Sequence, residues 1–202
     1  MKKIICFGDS NTYGYNPKDG SRYPKSIRWT GLLSKNLENK YTVVEAGLND
    51  RNCFINHQGG ALYVGHSAIL DYLDNDISLI VFALGINDLQ FKYNVNLDDF
   101  KTGLLYTLNK IKLYKKILLC PPCLTKDVLY GNFAHQFDIK SIEKSKKLSE
   151  IYKEISKKTN SDFIDLNNIV KVSPIDGLHL DPVQHRLIAN CLTEKILSME
   201  NL

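Results

Sequence analysis

Ser10, Asp176 and His179 are the residues of this chain whose types and surroundings could perform chemistry together. A serine hydroxyl is a weak nucleophile until a base takes its proton and a third group orients that base. Donors must also face the oxyanion that develops when such a serine attacks a carbonyl. Ser10 sits in "FGDSNT" (Phe7 to Thr12), where an apolar run ends abruptly in Gly-Asp-Ser-Asn. Its backbone N–H could point outward from that turn as an oxyanion donor. Taken alone, Asp9, Ser10 and Asn11 read equally well as residues that cap a turn. Asp176 and His179 lie in "DGLHLDP", joined by a glycine, so one short loop could present an imidazole and its orienting carboxylate. Asp-Gly is also ordinary turn chemistry. A third stretch, "LGINDL", brings Asn87, whose side-chain amide is of the kind that stabilises an oxyanion; the bland alternative is that Asn87 and Asp88 cap the next turn.

These residues work together only if the fold carries them to one place. Short β-rich runs at 3–7, 41–46, 78–84, 115–120 and 162–166 read as strands, and three of them are the near-continuous apolar runs of parallel strands buried on both faces. Helical patterns fall at about 26–39, 61–74, 97–113, 139–159 and 182–199. The last is well signalled, with Asp181 as N-cap and Pro182 in the first turn. Five strands alternating with helices predict a three-layer α/β/α sandwich around a five-stranded parallel sheet, with right-handed crossovers. Ligands in such sheets bind beyond the carboxyl ends of the strands. "GDSN", "LGINDL" and the aperiodic stretches 47–60 and 121–138 all follow strands and so should share that rim.

Length and composition bound the rest. The 202 residues fit one domain spanning 1–202, with no repeat or composition break. A net charge of +4, carried mostly on amphipathic stretches such as 140–158, gives no basic cluster interleaved with aromatics, so no nucleic-acid partner is expected. No segment is apolar enough for a membrane span, and "IICF" is too short for a signal-peptide core. Cleavage there would also remove the residues around Ser10. Five cysteines without a repeating spacing argue for a reducing compartment, the cytoplasm by default.

"FGDSNTYGY", "EAGLNDR", "LGINDL" and "DGLHLDP" occur in the order and approximate spacing of the four blocks of the SGNH hydrolase, or GDSL esterase, superfamily, which the chain resembles from residue 4 to about 190. Arg28-Trp29 after the first block is similar to a subgroup of aryl esterases, acyltransferases and acetyl-xylan esterases. The resemblance implies a flavodoxin-like sandwich and a serine ester hydrolase acting on small acyl, chiefly acetyl, esters, with acyl transfer to alcohols as a further activity. It implies no metal or organic cofactor, a small-molecule ester as the partner, and a homo-oligomer. Carried over residue by residue, it makes Ser10 the nucleophile, His179 the general base and Asp176 its orienting carboxylate. The oxyanion hole becomes the Ser10 N–H, the Asn87 side chain and the backbone N–H of Asp50. Many members have glycine at that last position. Asp50 is therefore expected to turn outward and pair, with Arg51 as the nearest cation in sequence. Tyr13 and Trp29 are candidates for a pocket wall, with a packing role as the alternative.

Other motifs compete. "HQGG" (57–60) and "GHSAI" (65–69) superficially resemble the oxyanion loop and nucleophile elbow of α/β-hydrolases. Ile69 replaces the last elbow glycine and no strand leads into Ser67, which belongs in a helix instead. Cys120 and Cys123 form a Cys-x-x-Cys that would suit a dithiol redox protein. The rival reading is therefore a non-hydrolytic α/β binding or redox protein using Cys120 and Cys123. His57, His66, His135 and His185 have no partner at a telling spacing; His57 and His135 could line the rim.

Overall fold

Lys3–Gly8 (β1), Thr42–Gly47 (β2), Ile77–Ala83 (β3), Lys116–Cys120 (β4) and Asp162–Asp165 (β5) pair in the order β2-β1-β3-β4-β5, every pair parallel. The computed structural model describes residues 1–56 and 59–199. Gly8 at the end of β1 is level with Gly47 of β2 and Ala83 of β3. The chain segments leaving these three strands therefore start from one line, at the place where strand order reverses. A doubly wound sheet forms its crevice there.

Period-two alternation along the central strands divides the core between two faces. Ile5, Phe7, Ile80, Phe82 and Leu118 pack on one side against Phe100 and Leu104 of Leu97–Asn109 (α4) and Tyr152 and Ile155 of Leu148–Lys158 (α6). Ile4, Cys6, Leu79, Val81, Ile117 and Leu119 pack on the other. They meet Trp29 and Leu33 of Trp29–Asn36 (α2) and Ile188, Leu192 and Ile196 of Pro182–Ser198 (α7). Full burial of one such side chain stabilises the fold by about 1.5–3 kcal/mol.

Four expected helices are shorter or broken: the one expected over 97–113 ends at Asn109, and hydrogen bonds account for the other three. Residues 26–28 form a turn whose N–H groups at Ile27 and Arg28 both reach Pro24 O, so α2 starts only at Trp29. The stretch 61–74 splits into a 3₁₀ turn at Ala61–Tyr63, a helix at Gly65–Ala68 (α3) and a second 3₁₀ turn at Ile69–Tyr72. Asn52 causes the first break: it donates to Tyr63 O, accepts from Gly65 N and draws Val64 into an extended bridge. Ser67 is helical, within α3. The stretch 139–159 divides into Ile139–Ser145 (α5) and α6. Ser145 ends α5 because its hydroxyl accepts Leu124 N–H and its carbonyl accepts the Cys123 thiol.

Candidate active site

At the end of β1 the Asp9 carboxylate accepts the Asn11 N–H at 3.0 Å and caps the one-turn helix Ser10–Tyr13 (α1). Ser10 thereby becomes the first helical residue, whose N–H has no partner within the helix. The turn lies tight against β2: a Cβ on Gly47 would stand 2.2 Å from Tyr13 N, so this position admits only glycine. The capping reading of "GDSN" holds for Asp9 and leaves room for the other. Asp9 caps, and the cap delivers Ser10.

The loop before α7 brings the other two groups. Gly177 takes a left-handed φ of +68, and its N–H donates to Ser173 O while its carbonyl accepts Thr125 N–H. A Cβ there would meet Val128 N at 2.3 Å, so the loop depends on glycine. Asp176 Oδ1 accepts the N–H groups of Leu178 at 3.0 Å and His179 at 2.9 Å. Its Oδ2 accepts from His179 Nδ1 at 2.6 Å. An ionised carboxylate only accepts, so the neutral imidazole carries its proton on Nδ1. Nε2 is then free to accept the Ser10 hydroxyl, which stands 2.9 Å away. Ser10, Asp176 and His179 are all at least 94% buried, with exposures of 6%, 2% and 1%. Burial by itself would raise the Asp176 carboxyl. Its bonds to His179 and to the backbone N–H groups outweigh that and hold it below the usual carboxylate range.

The loop after β3 places Asn87 on a 3₁₀ turn (Asn87–Leu89). One N–H of its amide donates to Arg51 O at 3.1 Å, and an amide carries two. Asp88 does more than cap a turn. Fully buried, it accepts backbone N–H groups from Cys53 at 2.6 Å, Phe54 at 3.0 Å and Ile55 at 3.1 Å. It bolts the loop after β2 to the loop after β3, fixing Asn87 relative to Asp50. Burial pushes its carboxyl up to about 6 against the pull of those three bonds.

Asp50 departs from expectation. It does not pair with Arg51: its Oδ1 accepts from Gln90 Nε2 at 2.9 Å. Arg51 turns inward instead, donating to Gly8 O, Ala46 O and Leu62 O with its guanidinium 4.4 Å from the Phe7 ring centroid. Three carbonyls at the sheet rim outcompete one half-exposed carboxylate for that cation. Asp50 lies in the turn closed by Arg51 N–H to Leu48 O, at a left-handed φ of +60. Glycine suits such a position best, and Asp and Asn are the side chains that tolerate it.

Ser10, Asn49, Asp50, Asn87 and His179 line one open cleft of about 350 Å³, together with Tyr15, Phe133, Gln136 and Leu178. Tyr15 and Phe133 press on the imidazole, with ring centroids 4.2 and 4.9 Å from that of His179. Tyr13 and Trp29 lie outside this lining. Arg22 covers the Tyr13 ring at 4.4 Å. Trp29 is buried beneath α1, where its indole N–H donates to Asn11 O at 3.0 Å. Its backbone N–H donates to Nδ1 of the buried His185, whose imidazole burial depresses to about 4. His66 bonds Ser67 Oγ at 3.1 Å beside Tyr106, remote from this cleft; His135 is exposed; His57 lies outside the described residues. Cys120 is buried and Cys123 half-buried, both as free thiols whose ionisation burial opposes. Among the described residues no group of three or more His, Cys, Asp or Glu side chains is arranged to hold a metal, and no helix is long and apolar enough to cross a membrane.

A parallel α/β/α sandwich carries a buried Ser–His–Asp hydrogen-bond chain at its switch point, the arrangement of a serine hydrolase of the SGNH type. The model of the GDSL-like lipase/acylhydrolase family matches residues 6–187, and the chain belongs to that family of carboxylic ester hydrolases. No curated protein sequence matches it significantly. Among solved structures, the chain is similar to a carbohydrate acetylesterase family member from Sinorhizobium meliloti, at 26% identity and a TM-score of 0.90 over the whole of both chains. It has the same fold as the aryl esterase of M. smegmatis, at 24% identity and a TM-score of 0.90, covering 98% of this chain and 100% of that one. A second carbohydrate acetylesterase from S. meliloti gives 24% and 0.89 over the same shares.

Proposed function

We propose that this protein hydrolyses small acyl esters, chiefly acetyl esters, through an acyl-enzyme on Ser10, within one domain formed by residues 1–202. The observation that carries the reading is the unbroken chain from Ser10 Oγ through His179 to Asp176, with links of 2.9 and 2.6 Å. Ser10 Oγ attacks the ester carbonyl carbon as its proton passes to His179 Nε2. The carbonyl oxygen takes the negative charge and meets the N–H groups of Ser10, Asp50 and Asn87. Collapse breaks the bond to the alcohol oxygen, which leaves with the proton held on Nε2. Water, or a second alcohol, then attacks the acyl-Ser10 carbonyl, giving its proton to Nε2 and returning Ser10 Oγ–H. Acyl transfer is the same cycle with an alcohol in place of water. Tyr15 and Phe133 wall the cleft beside His179, and this aromatic wall supports the reading of a small acyl group. Free cysteines fit a reducing compartment such as the cytoplasm.

The rival dithiol reading needs an accessible thiolate. Cys120 is buried, and both thiols are pushed towards the neutral form. Turnover of p-nitrophenyl acetate tests the two readings together. Ser10→Ala should abolish it, while Cys120→Ser and Cys123→Ser should leave it within about twofold, because neither thiol lines the cleft. Undiminished turnover by Ser10→Ala refutes the assignment. Turnover should also fall on acidification, since a protonated imidazole cannot take the serine proton.

A further inference from the structure

A carboxylate at the mouth of an oxyanion hole opposes the charge that forms there, and nothing in the backbone requires it. The left-handed turn at Asp50 would be met by glycine or asparagine without a charge. Yet the side chain is held in a defined way. Gln90, itself only 1% exposed, spends its Nε2 on Asp50 Oδ1 at 2.9 Å, with Asn87 Oδ1 at 3.5 Å from the same nitrogen. No ion pair within 4.0 Å reaches Asp50 among the described residues. Arg51 is committed to three carbonyls, and Lys92 lies over the Tyr93 ring at 4.8 Å. Beside it in the same cleft, the buried Oδ1 of Asn49 has no hydrogen-bond partner. The region next to Ser10 therefore offers a negative charge held in place by Gln90.

From this we infer that Asp50 selects the substrate by charge: the cleft takes esters whose alcohol part carries a cationic, hydrogen-bond-donating or quaternary ammonium group, and disfavours anionic ones. A cation bound beside Asp50 compensates its carboxylate and, through it, the nearby oxyanion. A neutral ester reacts against the uncompensated charge. An anionic ester adds a second repulsion. The inference rests on the esterase reading above and names its substrate class.

Three aryl acetates of nearly the same shape test it: 3-acetoxy-N,N,N-trimethylanilinium, 3-tert-butylphenyl acetate and 3-acetoxybenzoate. The variant is Asp50→Asn, which keeps an αL-tolerant residue and an acceptor oxygen while removing the charge. Two charges a few ångströms apart at a solvent-exposed cleft interact strongly enough to change relative rates by about tenfold. The ratio of kcat/KM for the cationic over the neutral ester should therefore fall by about tenfold in Asp50→Asn, and the neutral and anionic esters should react faster than with the wild type. High salt should shrink the wild-type ratio and leave that of the variant nearly unmoved. An unchanged ratio overturns the inference, and so does an equal loss with all three esters, which would make Asp50 purely a shaper of its turn. A second measurement is independent of turnover. Calorimetric binding to the Ser10→Ala protein should favour 3-trimethylammoniophenol over 3-tert-butylphenol, and Asp50→Asn in that background should remove the preference. Ser10-independent hydrolysis would refute the esterase mechanism while this binding preference still judged Asp50.

Discussion

Replacing Asp176 by Asn removes one charge and almost no volume, and the structure decides how the amide must sit. Asp176 Oδ1 accepts two backbone N–H groups, from Leu178 and His179, while Oδ2 accepts the imidazole Nδ1–H. Asparagine has a single acceptor oxygen. If that oxygen faces the imidazole, the NH₂ group confronts two backbone donors in a site where the residue is 2% exposed. Each buried donor left unsatisfied costs about 1–3 kcal/mol, so this rotamer is disfavoured by about 2–6 kcal/mol. In the opposite rotamer both backbone donors stay paired and the NH₂ donates to Nδ1. The imidazole proton then moves to Nε2, pointing at Ser10 Oγ, and His179 can no longer act as a base. The expected loss in kcat is about 10³–10⁴, the scale found when a triad histidine is held in the wrong tautomer. Turnover of p-nitrophenyl acetate measures it, urea denaturation confirms the fold, and ¹⁵N chemical shifts of the imidazole report the tautomer directly. A folded Asp176→Asn protein with kcat within tenfold of wild type, or with its proton still on Nδ1, would refute the reasoning.

Two further outcomes concern the frame around the site. Asp88→Ala strands the N–H groups of Cys53, Phe54 and Ile55 and should cost about 3 kcal/mol or more by urea denaturation. It should also lower kcat because Asn87 loses its anchor; an unaltered unfolding midpoint would show that those bonds are not needed. Glu45 receives Arg28 Nε at 2.5 Å, Arg28 Nη2 at 2.8 Å and the Thr30 hydroxyl at 2.5 Å. Burial would raise its carboxyl, but these partners hold it below its usual range. Its stabilisation is therefore present at neutral pH and is lost as pH falls through the folded-state value. Glu45→Gln should destabilise the protein at pH 7 and much less near pH 3; equal losses at both would contradict the ion-pair account.

Strand positions were legible to within about a residue because buried parallel strands leave continuous apolar runs that little else mimics. Helix ends were less so. Asn52 breaking 61–74 and Ser145 ending α5 are effects of hydrogen bonds to residues distant in sequence. Ser10, His179, Asp176 and Asn87 could be singled out because the proposed chemistry needs particular residue types beside recognisable turns and the family resemblance orders them; the structure brings the first three into one hydrogen-bond chain. The partner of Asp50 could not. Arg51 is adjacent in the chain, but Gln90, 40 residues away, has the geometry. Tyr15 and Phe133 were missed for a related reason: both reach His179 from irregular segments, whose paths no periodicity encodes.

The hydrogen bond from Ser10 to His179 joins residues 169 positions apart, from the first strand and from the loop before the last helix. On the proposed mechanism the nucleophile is therefore synthesised 169 residues before its base. A nascent chain can pair β1 with β2 and β3 long before α7 leaves the ribosome, while its serine remains chemically inert. On that mechanism activity requires the loop before α7 to reach Ser10 and does not follow from formation of the sheet alone. A chain stalled or clipped before residue 179 would carry the whole nucleophile turn without the means to acylate itself.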